Sequence, residues 1–320
     1  MSEKIDYSKG VYDAKKLGTG RMFILGVQHM FAMFGATVMV PLLTGLSVST
    51  TLLCAGLGTL LFHLITKKKV PAFLGSSFAY LGGFSIVAPM LADADGNLTV
   101  ANTKMLPYAC AAIAFSGLVY LVASLLISTF GIRRIMKFFP PVVTGTVVLS
   151  IGLSLISVGI NSFGGGNKAK DFGSVENLLL ALFVLVVILF FKHWTTGFLS
   201  SSAILIGILA GYVVAFIMGL VLPTTGVTAD GVEFTKAWVL NWNKVAQASW
   251  FAVPKLMPVK VVFDARAILP VLIMFIVTAV ETVGDISGVM EGGMNREPSD
   301  KELSGGVICD GLGSTFAALF

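Results

Sequence analysis

Charge is what this sequence has least of. Only 12% of its 320 residues are Asp, Glu, Lys or Arg, about half the ~25% usual in soluble chains. Together with 56% hydrophobic residues and a mean hydropathy of +0.89, that excludes an ordinary soluble domain and indicates an integral membrane protein. The net charge of +5 sits mostly in short linkers between apolar stretches, so it calls for no nucleic-acid partner. Cysteine is scarce as well. Cys54, Cys110 and Cys309 all fall in apolar segments, which provides neither a disulfide framework nor a metal-ligand cluster. The first 21 residues lack an apolar h-region, so 1–21 reads as a polar tail and not a cleavable signal peptide. The spans hold no paired nucleophile and base and no metal-spaced His/Glu set. An enzyme, a metal and a cofactor are therefore not expected.

What is present is a series of about nine apolar segments, near 22–43, 50–66, 72–91, 105–130, 138–160, 177–191, 198–222, 267–290 and 303–320. Their length suits helices and not barrel strands. Basic residues alternate between the linkers. Lys4, Lys9, Lys15, Lys16 and Arg21 precede the first segment, Lys67, Lys68 and Lys69 follow the second, and Arg133, Arg134 and Lys137 follow the fourth. Lys192 follows the sixth, and Arg296 and Lys301 follow the eighth. If every segment crosses, the positive-inside rule makes the N-terminus cytoplasmic and the loop 223–266 external. In that loop Trp238, Trp242 and Trp250 lie near lysines, so a short amphipathic anchor on the outer surface is expected.

The eighth segment organises the rest. AILPVLIMFIVTAVETVGDISGVM begins with fourteen uncharged residues and then carries Glu281 and Asp285, four apart and so on one helix face. An ionisable residue at mid-membrane costs roughly 2.5–3.5 kcal/mol on insertion scales and often marks a substrate or proton path. The alternative is a protonated, hydrogen-bonded structural pair between helices. In the third segment, Gly75, Ser76 and Ser77 precede Phe78 and Ala79, with Gly82 and Gly83 following. That composition predicts a broken or extended stretch, which at membrane depth must be buried in protein or line a cavity. The alternative is a glycine-rich, closely packed helix. Gln28 and His29 interrupt the first segment; His29 is expected to orient neighbouring groups first and to relay protons second. Asp310 stands alone among glycines in the ninth segment. The chain stops at Phe320 within an apolar run, which suggests part of a longer protein.

The blocks QHMFAMFGATVMVP, KVPAFLGSSFAYLGG, SWFAVPK and AVETVGDISG resemble, in the right order, the nucleobase–ascorbate transporter family, which includes bacterial uracil and xanthine permeases. The resemblance implies an all-α polytopic membrane protein with an inverted-repeat transporter fold, about seven plus seven spans in full, of which about nine are present here. Its third span would be half helix and half short strand, crossing a similar tenth span that would lie beyond Phe320. It also implies a core domain from spans 1–4 (22–137) and spans 8–9 (267–320), and a gate domain from spans 5–7 (138–222). By the same resemblance Glu281 binds substrate, with Ser77, Phe78 and Ala79 facing it. Asp285 occupies a position that is Asp in purine-type members and His in uracil-type ones. Asp310, His29 and Gln28 organise the site or couple the proton. A 320-residue chain with no tenth span is expected not to transport by itself.

The expected function is import of a nucleobase, a purine such as xanthine or urate, by proton symport across the cell membrane. A proton and not sodium is the expected coupling ion, and a homodimer is implied by the resemblance. A uracil permease of the same family is the alternative. An anion carrier or channel of similar fold would want Arg or Lys inside the core, where the membrane-depth charges here are acidic.

Overall fold

The computed structural model describes residues 11, 14–92, 98–131, 134, 137, 141–166, 169–196, 198–228, 231–247, 249, 254 and 262–319. Among them six helices are long and apolar enough to cross a membrane. These are α1 (Thr19–Thr44), α2 (Val48–Ile65), α4 (Leu106–Phe130), α7 (Val175–Trp194), α8 (Ala203–Val221) and α10 (Ala265–Met294). The remaining expected crossings take other forms. The segment 138–160 is divided into α5 (Pro141–Ser154) and α6 (Ile156–Phe163), and the ninth becomes α11 (Asp300–Ala318). Pro141 stands in the first turn of α5, where its missing N–H has no intrahelical partner to lose.

The third segment is interrupted. Residues 71–77 run without helix or strand assignment, Phe78–Tyr80 make one 3-10 turn, and α3 covers only Leu81–Val87. Pro71 disfavours helix at its start, and the Gly-Ser-Ser run offers poor helix formers after it. The short strand expected here is not formed among the described residues: 71–77 have no ladder partner, and Ser77 at their end has the extended dihedrals of the cap of the 3-10 turn. A small antiparallel pair, β1 (Leu91–Ala92) and β2 (Leu98–Val100), follows before α4.

The described residues form two compact units. The first comprises Met1–Phe23, Met33–Gly152 and Pro254–Phe320. In it α4 and α11 cross closely. A Cβ on Gly311 would lie 2.4 Å from Tyr120 Cβ and 2.6 Å from the Gly117 carbonyl oxygen, so only glycine fits. Two hydrogen bonds tie the same helices: Thr315 Oγ1 donates to Ala114 O at 3.1 Å, and Ser124 Oγ to Ser304 O at 2.8 Å. One apolar cluster joins Phe62, Val70, Tyr120, Ile286, Met290, Leu303 and Val307, another Phe84, Leu106, Ala112 and Val271. At the α10–α11 turn, Asn295 caps α10 in the left-handed region, and Ser299 and Glu302 form a capping box for α11. Arg296 grips Glu302 with two bonds of 2.8 Å, and these hold the Glu302 carboxyl down to about 2.

The second unit comprises Ile24–Ala32 and Leu153–Val253. Here α7 and α8 pack through Gly207 and Gly211, the small-xxx-small spacing of membrane helices. A Cβ on Gly207 would meet Ile188 Cγ1 at 2.3 Å. The hairpin β3 (Thr225–Val227) and β4 (Glu233–Thr235) is antiparallel, and Lys236 Nζ pairs with Glu176 at 2.7 Å. The expected tryptophan anchor is corrected in one respect. Trp238 is buried at 5% exposure, whereas Trp242, at the start of the one-and-a-half-turn helix α9 (Trp242–Gln247), is exposed. Trp250 lies outside the described residues. Ala237, the residue before Trp238, has its N–H held by the Asp171 carboxylate at 3.2 Å.

Candidate functional site

The interrupted segment and α10 meet at one hydrogen bond. Ser77 Oγ donates to Glu281 Oε2 at 2.8 Å and accepts the Ala79 N–H at 3.2 Å. Capping the 3-10 turn thus uses a lone pair of the hydroxyl and leaves its proton for the carboxylate. Glu281 is half-buried and has no other hydrogen-bond partner among the described residues. An ionised carboxylate offers about four acceptor sites, so most of its capacity remains for a ligand. Phe78 is half-buried beside this pair in sequence, and Ala79 is buried.

A second acid stands on the neighbouring helix. Thr282, one residue after Glu281, donates Oγ1 to Asp310 Oδ2 of α11 at 2.5 Å. Thr278, one turn earlier, accepts the hydroxyl proton of Tyr120 from α4. Tyr80 of the 3-10 turn lies within 3.5 Å of Thr278 Oγ1 and 3.4 Å of Ser116 Oγ. Tyr120 is fully buried, with its ring edge-on to Phe275 at 4.9 Å. Four elements are therefore joined by hydroxyls, of which those of Tyr80, Ser116, Tyr120 and Thr278 belong to buried residues. Of this set the sequence reading picked out Asp310 alone. Tyr80, Tyr120, Thr278 and Thr282 were missed because single hydroxyls in apolar helices carry no pattern; the repeated Thr at i, i+4 (Thr278, Thr282) one residue from Glu281 is the only signal they leave.

The other expected site residues divide. Asp285 lies one turn beyond Glu281 on α10, is exposed, and has no hydrogen-bond partner among the described residues. Gln28 and His29 lie on α1 within the portion that belongs to the second unit. Gln28 is buried with its Oε1 unpartnered among the described residues, and His29 is exposed. The structure therefore brings together Ser77, Phe78, Ala79, Glu281 and Asp310 within the first unit. Among the described residues no group of three or more His, Cys, Asp and Glu side chains could hold a metal.

Comparison with known proteins follows the same residues. A sequence model described as a permease family, that of xanthine and uracil permeases, matches residues 20–320. The chain belongs to the nucleobase–ascorbate transporter family. It is 34% identical to the uracil permease of Bacillus caldolyticus over 98% of this chain and 66% of that one. It is 31% identical to the uric acid permease of Bacillus subtilis over 94% of this chain and 64% of that one. The xanthine permease of Bacillus subtilis is 30% identical over 95% of this chain and 64% of its own length. The chain thus spans about two thirds or less of the curated relatives it matches. For a member of this transporter family, a carboxylate tied to an interrupted span is the natural first place to look for a ligand.

Proposed function

We propose that this permease imports a nucleobase, of the purine type such as xanthine or urate, by proton symport across the cell membrane. Glu281 accepts ring N–H groups of the base, Ser77 holds the carboxylate in place, and Phe78 and Ala79 present the aromatic face and backbone of the interrupted span. Charge-assisted hydrogen bonds of this kind are shorter and roughly twice as strong as neutral ones. Asp310 and Asp285 take part in proton coupling or hold the site. The N-terminus is cytoplasmic by the alternation of basic linkers, and the permease assembles as a homodimer.

The observation that supports this reading most is the Ser77–Glu281 hydrogen bond, which leaves a carboxylate with spare acceptor capacity beside an unwound span. A uracil substrate is the second reading, favoured by the 34% identity to a uracil permease. Asp285, the residue of the purine-type pattern, favours the first. Uptake of labelled xanthine by the native permease, competed with uracil, xanthine and urate, tests the two. Competition by xanthine or urate at concentrations where uracil has no effect is the expected result; uracil competing most strongly would transfer the assignment.

A further inference from the structure

We propose that Thr59 is a positioning residue for the nucleobase site. Its hydroxyl supplies backbone hydrogen bonds that the non-helical segment 71–77 lacks and sets the depth at which Ser77 meets Glu281. The proposal rests on the reading of Ser77 and Glu281 as the site.

Non-helical backbone at membrane depth carries N–H and C=O groups that no helix turn pairs and that need partners from the surrounding protein. Midway along that segment, Leu74 has both groups turned to one side chain. Its N–H donates to Thr59 Oγ1 at 3.1 Å, and its carbonyl oxygen lies 3.1 Å from the same Oγ1. Thr59 Oγ1 is also 2.8 Å from Ala55 O, one turn back in α2. A hydroxyl has one proton and two lone pairs. The proton therefore lies between the two carbonyl oxygens while a lone pair takes the Leu74 N–H. This is the exchange a neighbouring strand would make, delivered by one threonine on a helix.

The side chain of Leu74 is held at the same level. A Cβ on Gly58 would lie 3.6 Å from Leu74 Cδ1, and one on Gly313 would lie 3.3 Å from it. Leu74 thus rests against glycine surfaces of α2 and α11, with its backbone on Thr59. Three residues, which span at most about 10 Å, separate this anchor from Ser77. So short a link has little slack, and a slip at Leu74 is carried to Ser77.

The plainer account is that Thr59 only satisfies its own hydroxyl. Thr37, Thr44 and Thr51 do so, each back-bonding to a carbonyl one turn earlier in its helix. Thr59 does this and in addition accepts an N–H from a segment 15 residues away, which satisfying a hydroxyl does not require.

The test compares Thr59→Val, Thr59→Cys and Thr59→Ser in the native permease, with Glu281→Gln in parallel. KM and maximal rate for labelled xanthine and labelled uracil are measured against the amount of protein in the membrane. Valine keeps the shape and loses the acceptor, so KM should rise about tenfold or more while the maximal rate per molecule stays within about twofold. Serine should restore KM to within about twofold, and cysteine, a weak acceptor, should fall between them. A native KM in Thr59→Val overturns the proposal, as does an equal loss in Thr59→Ser. If the valine variant does not reach the membrane, a native KM in Thr59→Cys overturns it instead. Lost uptake in Glu281→Gln beside native Thr59→Val removes only the role of Thr59. Native uptake in Glu281→Gln removes the site reading itself.

Discussion

Ser77 donates its hydroxyl proton to Glu281 across 2.8 Å, although 204 positions separate the two residues. The bond links the interrupted third span to the acid-bearing face of α10. It also leaves one carboxylate oxygen of Glu281 without a partner among the described residues. Replacing Glu281 by Gln in the native permease should abolish uptake, because an amide presents an N–H2 donor where the base presents its own N–H. Ser77→Ala should be milder, raising KM by about tenfold through loss of one charge-assisted bond. Radiolabelled uptake measures both, and proton-dependent uptake at the native rate in Glu281→Gln would remove the acceptor role.

Asp310 depends on Thr282 for the one hydrogen bond recorded between α10 and its carboxylate. Thr282→Val keeps the shape and removes the donor. Uptake should fall by about tenfold or more, the worth of a hydrogen bond to a charged group, roughly 1.5–3 kcal/mol. Thr282→Ser should recover most of the loss. Uptake rates across external pH, compared among the three proteins, check this.

The close crossing of α4 and α11 makes a stability prediction that does not involve the ligand. Gly311→Ala would place a methyl 2.4 Å from Tyr120 Cβ and against the Gly117 carbonyl. Overpacking of this kind costs about 1–3 kcal/mol. Gly288, in the middle of α10, has no atom within 4 Å of a Cβ, so Gly288→Ala should be neutral or stabilising by up to about 1 kcal/mol. Thermal unfolding in detergent should separate the two variants in that order.

The Arg296–Glu302 pair gives a pH dependence. Its hydrogen bonds hold the Glu302 carboxyl at about 2 in the folded protein, below its ordinary 4.5. A depressed folded value means that the stabilisation is complete above about 4.5 and is lost as pH falls toward about 2. Stability should therefore be flat from this pair between neutrality and about pH 5, then decline. Glu302→Gln should remove its share of that acid limb and lower stability at neutral pH by about 1–3 kcal/mol, with the Ser299 capping box also weakened. Thermal melting at a series of pH values, wild type against variant, measures both effects.

Much of this was legible in the residue order. A run of fourteen apolar residues ahead of Glu281 and Asp285 is a local pattern, as is the Gly-Ser-Ser break before Phe78, and each acts through backbone propensity or the cost of charge in hydrocarbon. The division of the fifth segment at Leu155 was not legible, since neither proline nor a charged residue stands near Leu155 to mark it. Nor was the burial of Trp238, because a tryptophan in a polar loop reads as an anchor until tertiary contacts decide its exposure. Thr59, Tyr120 and Thr278 are unremarkable as letters. They acquire a role only from the helices that face them.

What the order of residues determined alone is that this chain lives in a membrane, where its charges fall along each segment, and which segment, the third, carries the residues of an interruption. The tertiary structure alone decided which hydroxyl reaches which carboxylate. That choice depends on the depth and rotation of each helix, and these are set by contacts such as Gly117 on Gly311 and Thr59 on Leu74. Such contacts join positions far apart in sequence, and no periodicity within a span records them.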